Sequence, residues 1–345
     1  MSRLRHSHDA EPGIARERAG RGFRYRDARD RVVRDAQQLR RIRSLAVPPA
    51  YRQVWICADA DGHLQATGRD ARGRKQYRYH PEWRRQRDDQ KFERVMAFAE
   101  VLPKLRRRVR RDLRAPGLPR DKVLATVVAL LDLTQARVGN AEYARDNRSY
   151  GLTTLRDRHA KFVRDGRLRL SFAGKGGVAH ELIVDDRRLA RIVRRCQQLP
   201  GQVLFQYLDD DGVRHPIDSG QLNQYLQDAS GDAFTAKDFR TWAATMRAAM
   251  LLGGVAAPDA RHLRAGTTQI NKVIRAVADE LRNTPAICRK SYINPLVFEI
   301  WRNGGLRHLP RCRDLRRVPR SIERAIVDVL RRHCRPPRAR RQRRA

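Results

Sequence analysis

The sequence predicts an α+β chain of several domains, in which a small β-rich N-terminal domain precedes a larger, mostly α-helical domain with a small antiparallel sheet. Three observations predict this fold class. A β-type pattern with Gly-rich turns occupies the range from Tyr51 to Trp83. From about Lys91 onward, apolar residues recur with helical spacing. The stretch 159–184 interrupts that spacing with alternating apolar residues and turn signals.

The N-terminal part contains strand patterns separated by turns. A first apolar strand covers Val54 to Cys57, and a Gly-rich turn spans Gly68 to Gly73. The strand after this turn contains Gln76, Tyr77 and Tyr79, and the period of two places both tyrosines on one face. Such side chains, flanked by Arg and Lys, can contact base edges and phosphates. The same spacing also fits tyrosines that belong to a core, so both interpretations stay open here.

The helical part contains three isolated cationic residues in different predicted settings. Arg137 is predicted at the end of a buried apolar helix, whose exit is marked by Gly139-Asn140. Lys175 stands in a Gly-rich turn between two alternating segments, which predicts the tip of a β-hairpin. Thr235 and Asp238 resemble a capping box, so Arg240 is expected just past the first turn of a helix.

These three cations precede Tyr292 in the chain. A tyrosine is a poor nucleophile at neutral pH, but it can attack a phosphodiester when cations stabilise the charge that develops. Two arginines can hold the non-bridging oxygens in a fork geometry, and a lysine can protonate the departing oxygen. Each residue alone also has an ordinary explanation, as a helix-end arginine or a solvated turn. Their ordered occurrence is what indicates a set for cutting a nucleic-acid strand without a metal.

The composition indicates a polyanionic partner. The chain has 345 residues and a formal net charge of +37, from 75 Lys and Arg against 38 Asp and Glu. Hydrophobic residues make up 41%, which is enough for a core. The longest apolar stretch is too short to cross a bilayer, and no secretory signal is evident at the N-terminus. Five scattered cysteines without a CxxC pair favour a reduced, cytosolic protein.

Metal and nucleotide chemistry are not favoured. The acidic run 209–212 is most simply a turn, because a two-metal nuclease would need further carboxylates around it. The turn 174–176 lacks the rest of a P-loop. Four residues near the C-terminal end fit no common zinc-finger spacing: His308, Cys312, His333 and Cys334.

Six separated motifs follow one another in a recognisable order: Gly22 to Asp27, Gly68 to Tyr79, Arg137 to Asn140, Tyr150 to Leu155, Lys237 to Trp242, and Ser291-Tyr292. In order and spacing they resemble a type IB DNA topoisomerase of the poxvirus-like bacterial branch, over about residues 20 to 305. The resemblance implies a β-rich N-terminal domain at 21–90 and a catalytic domain of the tyrosine recombinase/topoisomerase IB type at 91–310, which close as a clamp around duplex DNA. We expect a disordered basic segment at 1–20 and a basic tail at 311–345.

The resemblance implies catalytic roles for five residues. Tyr292 would be the nucleophile, Arg137 and Arg240 the phosphate clamps, and Lys175 the general acid on the leaving 5′ oxygen. Asn283 falls where viral and eukaryotic relatives have a histidine that bonds a non-bridging oxygen. An amide can donate the same hydrogen bond but cannot carry a positive charge.

The resemblance also implies DNA contacts and an activity. Gln76, Tyr77 and Tyr79 would contact the major groove, and Tyr143 and Lys237 would contact phosphates. The implied activity is relaxation of supercoiled DNA by transient single-strand cleavage through a 3′-phosphotyrosyl intermediate. It would need no ATP, metal or other cofactor. The expected enzyme is a cytoplasmic, nucleoid-associated monomer that clamps double-stranded DNA and has no membrane partner.

Two alternative functions stay open on the sequence. A tyrosine recombinase or integrase shares the catalytic domain and the phosphotyrosine chemistry. Recombinases favour His-x-x-Arg at the second clamp, where this chain has Lys237-x-x-Arg240, and the domain around 76–79 fits a topoisomerase better. A non-catalytic basic DNA-binding protein is suggested by the charge alone.

Overall fold

The computed structural model describes residues 4–71, 73–163, 166–258, 263–310 and 318–333, with the side chains of 86–92, 143 and 263 outside this description. The chain divides into two compact units, Met1–Glu93 and Arg94–Ala345. No helix in the described ranges is long and apolar enough to cross a membrane. The predicted fold class is confirmed, since an antiparallel sheet dominates the first unit and helices dominate the second.

The first unit is built on a five-stranded antiparallel sheet of order β2-β1-β3-β4-β5. Its strands are β1 (Gly13–Ala19), β2 (Gly22–Arg26), β3 (Arg52–Cys57), β4 (Leu64–Arg69) and β5 (Lys75–Tyr79). Helix α1 (Ala36–Ser44) contributes Ile42 to the core beneath the sheet, with Ile14, Val54, Ile56 and Ala66. The apolar side chains of this core come from the alternate positions of β1, β3 and β4, as expected of a sheet with one buried face.

The disordered segment predicted at 1–20 is corrected by the structure. Strand β1 is an inner strand that pairs with β2 on one side and β3 on the other. Ahead of it, the Arg5 amide donates to the Asp61 carbonyl. The prediction was wrong because β1 carries three consecutive charged residues, Arg16 to Arg18, which look solvated in the sequence. In the structure Arg16 donates to the carbonyls of Val47, Pro48 and Tyr51 instead of pointing into solvent.

The long helix α2 (Pro81–Asp112) begins well before the helical pattern expected from about Lys91. Proline is suited to the first position of a helix because its missing N–H would be unpaired there in any case. The second unit continues with nine further helices in the described ranges: α3 (Arg120–Thr134), α4 (Ala141–Asn147), α5 (Arg187–Gln197), α6 (Ser219–Ser230), α7 (Ala236–Gly253), α8 (Leu263–Glu280), α9 (Pro285–Ser291), α10 (Leu296–Arg302) and α11 (Arg320–His333).

Helix α7 lies at the centre of the second unit. It contacts α3, α8 and α10, and almost every one of its residues is buried. A helix buried on all sides is expected to be apolar all round. Two arginines, Arg240 and Arg247, are exceptions on this helix.

Small sheets accompany the helices of the second unit. Strands β6 (Ala160–Phe162), β7 (Leu168–Ala173) and β8 (Ala179–Val184) form a three-stranded antiparallel sheet, and β9 (Gln206–Leu208) pairs with β10 (Arg214–Pro216). The predicted hairpin at Lys175 is confirmed, because a 3₁₀ turn at Lys175–Gly177 joins β7 to β8. Gly176 and Gly177 have φ of 76° and 77°, which other residues adopt only at a cost.

The structure also corrects part of the basic tail predicted at 311–345. Residues 320–333 form helix α11, whose Ile322, Ile326, Val329 and Leu330 are buried. The helix contacts α7 and α10, and its Glu323 pairs with Arg106 of α2. The prediction of a tail was based on the charge of the flanking arginines and did not take this apolar helix face into account. Residues 311–317 and 334–345 of the predicted tail lie outside the described part of the chain.

Candidate active site

Tyr292 is held by its backbone at the end of helix α9. Thr284 caps the start of this helix, and the Tyr292 amide closes its last turn by donating to the Cys288 carbonyl at 3.0 Å. The Tyr292 carbonyl accepts a hydrogen bond from Thr245 Oγ1 of α7 at 3.3 Å. The residue is therefore anchored to two helices, with its side chain half-buried.

Arg240 lies directly beside Tyr292. The predicted capping box of Thr235 and Asp238 is present, so Arg240 follows the first turn of α7 as expected. Its guanidinium carbon lies 5.3 Å from the centroid of the Tyr292 ring, and the residue is only 4% exposed. One terminal nitrogen donates to the Gln135 carbonyl, and the other donates to the Leu281 carbonyl at 2.8 Å. Two main-chain carbonyls thus fix the orientation of the buried guanidinium.

Arg137 reaches the same region from the loop after α3. That helix ends at Thr134, earlier than the predicted exit at Gly139-Asn140, because the next residue, Gln135, adopts a left-handed conformation with φ of 51°. The Arg137 carbonyl accepts from the Leu152 amide at 2.9 Å, which holds the loop in place. Its side-chain Nη2 donates to Asn283 Oδ1 at 2.5 Å. The structure therefore brings Arg137 and Asn283 together, as their predicted roles require.

The side-chain amide of Asn283 contains a donor that is not used in the contact with Arg137. Because arginine can only donate, Oδ1 must be the atom that faces Arg137, and Nδ2 points elsewhere. Within the described residues, Nδ2 is buried without a hydrogen-bond partner. Buried polar groups rarely lack partners, so this donor beside Arg137 is available to an acceptor that enters the site.

The electrostatics of the cluster favour the ionised phenol. Burial alone would raise the pKa of Tyr292, but the charge and hydrogen bond of Arg240 outweigh it, with smaller effects of Arg137 and Lys237, and the pKa falls below its ordinary value. Burial lowers the pKa of the Arg240 guanidinium, and the phenol opposes that decrease. An arginine remains protonated at neutral pH even so.

Lys175 is exposed at the tip of the β7–β8 hairpin, and no contact joins it to Tyr292, Arg137 or Arg240 in the described part of the chain. The base of the hairpin, in contrast, lies near Arg137 and Arg240. His180 of β8 is buried, and burial, together with Arg137, Arg282 and Arg240, lowers its pKa to about 4. The imidazole is therefore neutral at pH 7. The sequence did not point to His180, because nothing in an alternating strand marks one histidine as a neighbour of the candidate catalytic residues.

The predicted DNA-contacting residues of the first unit lie on β5. Tyr77 and Tyr79 are 47% and 37% exposed, with their rings stacked at 6.1 Å, so the alternative of a core position is wrong. Gln76 lies on the opposite, half-buried face of the strand, where its amide donates to Asp70 at 3.0 Å. The period of two separates it from the tyrosines. Its role in contacting bases stays a prediction.

The two predicted phosphate contacts of the second unit differ in what the structure shows. Lys237 lies in the first turn of α7, near enough to Tyr292 to lower the pKa of the phenol. Tyr143 belongs to α4, and its side chain lies outside the described part. In the described ranges no group of three or more His, Cys, Asp or Glu residues could hold a metal ion, and Cys312 and Cys334 fall outside those ranges.

Comparison with known families gives a consistent result for both units. The model of the eukaryotic DNA topoisomerase I catalytic core matches residues 80–296. The model of the bacterial DNA topoisomerase IB N-terminal domain matches residues 22–70. All five candidate catalytic residues, from Arg137 to Tyr292, fall within the first match, whereas strand β5 with its two tyrosines lies between the two matches.

Individual relatives support the same family. DNA topoisomerase 1B of Acanthamoeba polyphaga mimivirus is 31% identical over 297 residues, which are 85% of this chain and 88% of the relative. DNA topoisomerase 1B of vaccinia virus (strain Copenhagen) is 24% identical over 256 residues, covering 72% of this chain and 76% of the relative. DNA topoisomerase 1 of Mycosarcoma maydis is 24% identical over 176 residues, which are 46% of this chain and 17% of the relative. The chain belongs to the type IB DNA topoisomerases, a family of isomerases.

Proposed function

We propose that this topoisomerase relaxes supercoiled DNA by cutting one strand with Tyr292 and resealing it. The contact between the Tyr292 phenol and the buried Arg240 guanidinium carries this proposal. It places a cation against the oxygen that must lose its proton to attack. The pKa of the phenol is lowered before any substrate arrives, which helps to activate it as a nucleophile.

In the proposed cleavage step, the Tyr292 oxygen attacks the phosphorus and the bond from phosphorus to the 5′ oxygen breaks. The phenol proton passes to solvent, and Lys175 donates a proton to the departing 5′ oxygen. Arg137, Arg240 and the orphaned Asn283 amide hold the non-bridging oxygens, on which charge increases in the transition state. The strand is then joined to the enzyme by a 3′-phosphotyrosyl bond, and resealing is the reverse reaction.

The proposed cleavage chemistry determines whether the reaction requires ATP, a metal or another cofactor. The phosphotyrosyl bond is a phosphodiester, so the energy of the broken bond is retained and resealing requires no ATP. The charge-stabilising groups are the enzyme's own cations, so we propose that no metal or other cofactor takes part. All the proposed catalytic residues come from one chain, which supports a monomer. The free, buried Cys57, Cys196 and Cys288 support a cytoplasmic location on the nucleoid, where thiols stay reduced.

The proposal is tested by relaxation of a supercoiled plasmid in EDTA without ATP, together with trapping of the covalent adduct on a denaturing gel. We expect the wild-type protein to relax the plasmid and form the adduct. Tyr292→Phe keeps the ring but removes the oxygen, so it should bind DNA and form none. Tyr225→Phe is a matched control, since the Tyr225 hydroxyl is buried against Asp112. An adduct formed by Tyr292→Phe would refute the assignment.

A further inference from the structure

A second buried arginine on α7 contacts the same two chain segments that hold Arg240. Arg247, 6% exposed, comes about two turns later on the helix and therefore lies on the same face. Arg240 donates to the main-chain carbonyls of Gln135 and Leu281. Arg247 forms an ion pair with Glu280, the residue before Leu281, and donates to the side-chain Oε1 of Gln135 at 3.4 Å. The two arginines thus bridge the same pair of segments, one through main chain and one through side chains.

The Gln135 side chain is fixed at both of its polar atoms. Its Nε2 donates to the Asp132 carbonyl at 2.6 Å, while its Oε1 faces Arg247. The residue has a left-handed backbone, with φ of 51°, in which a glycine would be less strained. A glutamine at this position therefore costs some stability, and it provides a link to Arg247 that a glycine would lack.

The Glu280 end of the bridge leads to the other clamp. Helix α8 ends at Glu280, and the Asn283 main-chain amide turns back to donate to the Ala278 carbonyl at 2.9 Å. The Asn283 side chain then accepts from Arg137. The ion pair that holds Glu280 against α7 therefore also holds the turn that brings Asn283 to Arg137.

We propose that Arg247 and Gln135 are positioning residues for the transition-state clamp, and this inference rests on the proposed role of Arg240. Their contacts set the distance between the end of α3 and the end of α8, and so aim the Arg240 guanidinium held between those ends. Burying an arginine is costly unless it is well paired. The pairing of Arg247 occurs at the two points that determine the geometry of Arg240, and a misplacement of about 1 Å can cost roughly 10²-fold in rate.

The test is a double-mutant cycle on full-length protein, measured as single-turnover cleavage at saturating DNA. We expect Arg247→Met and Gln135→Leu each to lower the cleavage rate by about tenfold or more, through misplacement of the clamp. The dissociation constant for DNA should change little. In an Arg240→Lys background the same changes should cost less than about threefold, because the guanidinium that they aim is already absent. Gln135→Leu keeps the main-chain carbonyl, so it remains informative if Arg247→Met fails to fold.

A matched control separates positioning from general stability. Arg108 is another partly buried arginine of the second unit, paired with Asp112 at 2.6 Å and Asp121 at 2.9 Å. Arg108→Met should lower the melting temperature without lowering the cleavage rate at saturation, whereas Arg247→Met should lower both.

Two results would overturn the proposal: an unchanged cleavage rate in Arg247→Met and Gln135→Leu, or the same fold-loss in both Arg240 backgrounds. Cleavage by Arg240→Lys alone at the wild-type rate would instead refute the clamp assignment on which the positioning role depends. The failure of the positioning role and the failure of the proposed function are therefore distinguishable.

Discussion

The two parts of the proposed catalytic machinery are built in opposite ways. Arg240 and Arg137 are held around Tyr292 by main-chain carbonyls and by Asn283. Lys175 instead stands exposed on a turn of glycines. Groups that stabilise developing charge are effective only when they are oriented beforehand, since reorienting them during the reaction costs energy. A general acid needs its geometry only when the leaving oxygen is present, and catalytic hydrogen bonds often tighten only with substrate bound.

The tightly packed part of the site and the exposed turn that carries Lys175 meet at the base of the β7–β8 hairpin. The His180 imidazole stacks on Phe172 with ring centroids 5.1 Å apart. A Cβ added to Gly174 would lie 2.5 Å from that imidazole, so the base of the hairpin is tightly packed. A Cβ added to Gly176 or Gly177 at the tip would meet no atom of the described residues within 4 Å, apart from its chain neighbours. Lys175 therefore projects from a fixed support, and we expect the adjustment needed to reach the leaving oxygen to be confined to 175–177.

Among the groups that assist the nucleophile, removal of the acid is expected to have the largest effect. Lys175→Ala should slow cleavage by roughly 10² to 10⁴, which is the usual contribution of a general acid. A substrate in which sulfur replaces the bridging 5′ oxygen leaves without a proton, so it should be cleaved about equally by Lys175→Ala and by wild type. Single-turnover rates on both substrates decide the matter. If the sulfur substrate shows the same deficit as the normal one, Lys175 acts in another way.

A somewhat smaller loss is expected at the preorganised arginines. Arg240→Lys and Arg137→Lys should each cost roughly 10² to 10³ in cleavage rate, the typical effect of removing one oriented donor. Lysine keeps the charge but cannot reproduce a two-pronged contact. The sulfur substrate should not rescue either variant, which distinguishes the clamps from the acid. Rescue of Arg240→Lys by that substrate would contradict the separate roles of clamp and acid.

Asn283 should contribute less than the charged clamps. Asn283→Leu removes one hydrogen bond to a charged oxygen, worth about 1.5 to 3 kcal/mol, so cleavage should slow by roughly 10- to 100-fold. Asn283→His keeps a donor and should recover much of the rate. Both variants are compared under single-turnover conditions at saturating DNA. Equal rates for the leucine and histidine variants would show that the amide does not donate to the phosphate.

The smallest effect on chemistry is expected from the basic C-terminal end. Deletion of residues 334–345 leaves α11 intact, including the Arg331 ion pair with Glu100. The cleavage rate at saturation should stay nearly unchanged, while the log–log salt dependence of binding should flatten by about 0.9 for each phosphate that the arginines no longer neutralise. A salt series on both proteins tests this. A deletion that slowed cleavage as much as Arg240→Lys would show that bulk charge and clamp chemistry are not separable here.

Sequence patterns predicted the secondary structure around the site well. The helix face before Arg137, the hairpin at Lys175 and the capping box before Arg240 are all present. Each depends on residues close together in the chain, which is why the pattern was sufficient. Long-range charge arguments were less reliable, since β1 and α11 fold although their arginines suggested solvated ends.

The supports of the site could not be predicted from the sequence. Arg240 is held by the carbonyls of Gln135 and Leu281, and every residue type has a carbonyl, so composition gives no signal for them. The orphaned Nδ2 of Asn283 is likewise visible only once the partner of Oδ1 is known. The tertiary fold brings these groups together from α3, α7 and the end of α8.

Cys288 places a second potential nucleophile one turn before Tyr292 on α9. Burial raises the pKa of its thiol to about 11, although the nearby Arg240 acts against that increase. The thiolate is the reactive form of cysteine, and at neutral pH almost none of it is present. The arginine that lowers the pKa of the phenol thus does not activate the thiol, which agrees with the proposed transfer of the DNA strand to the Tyr292 oxygen. Because the Cys288 thiol is buried, we expect it to react slowly with alkylating and oxidising reagents.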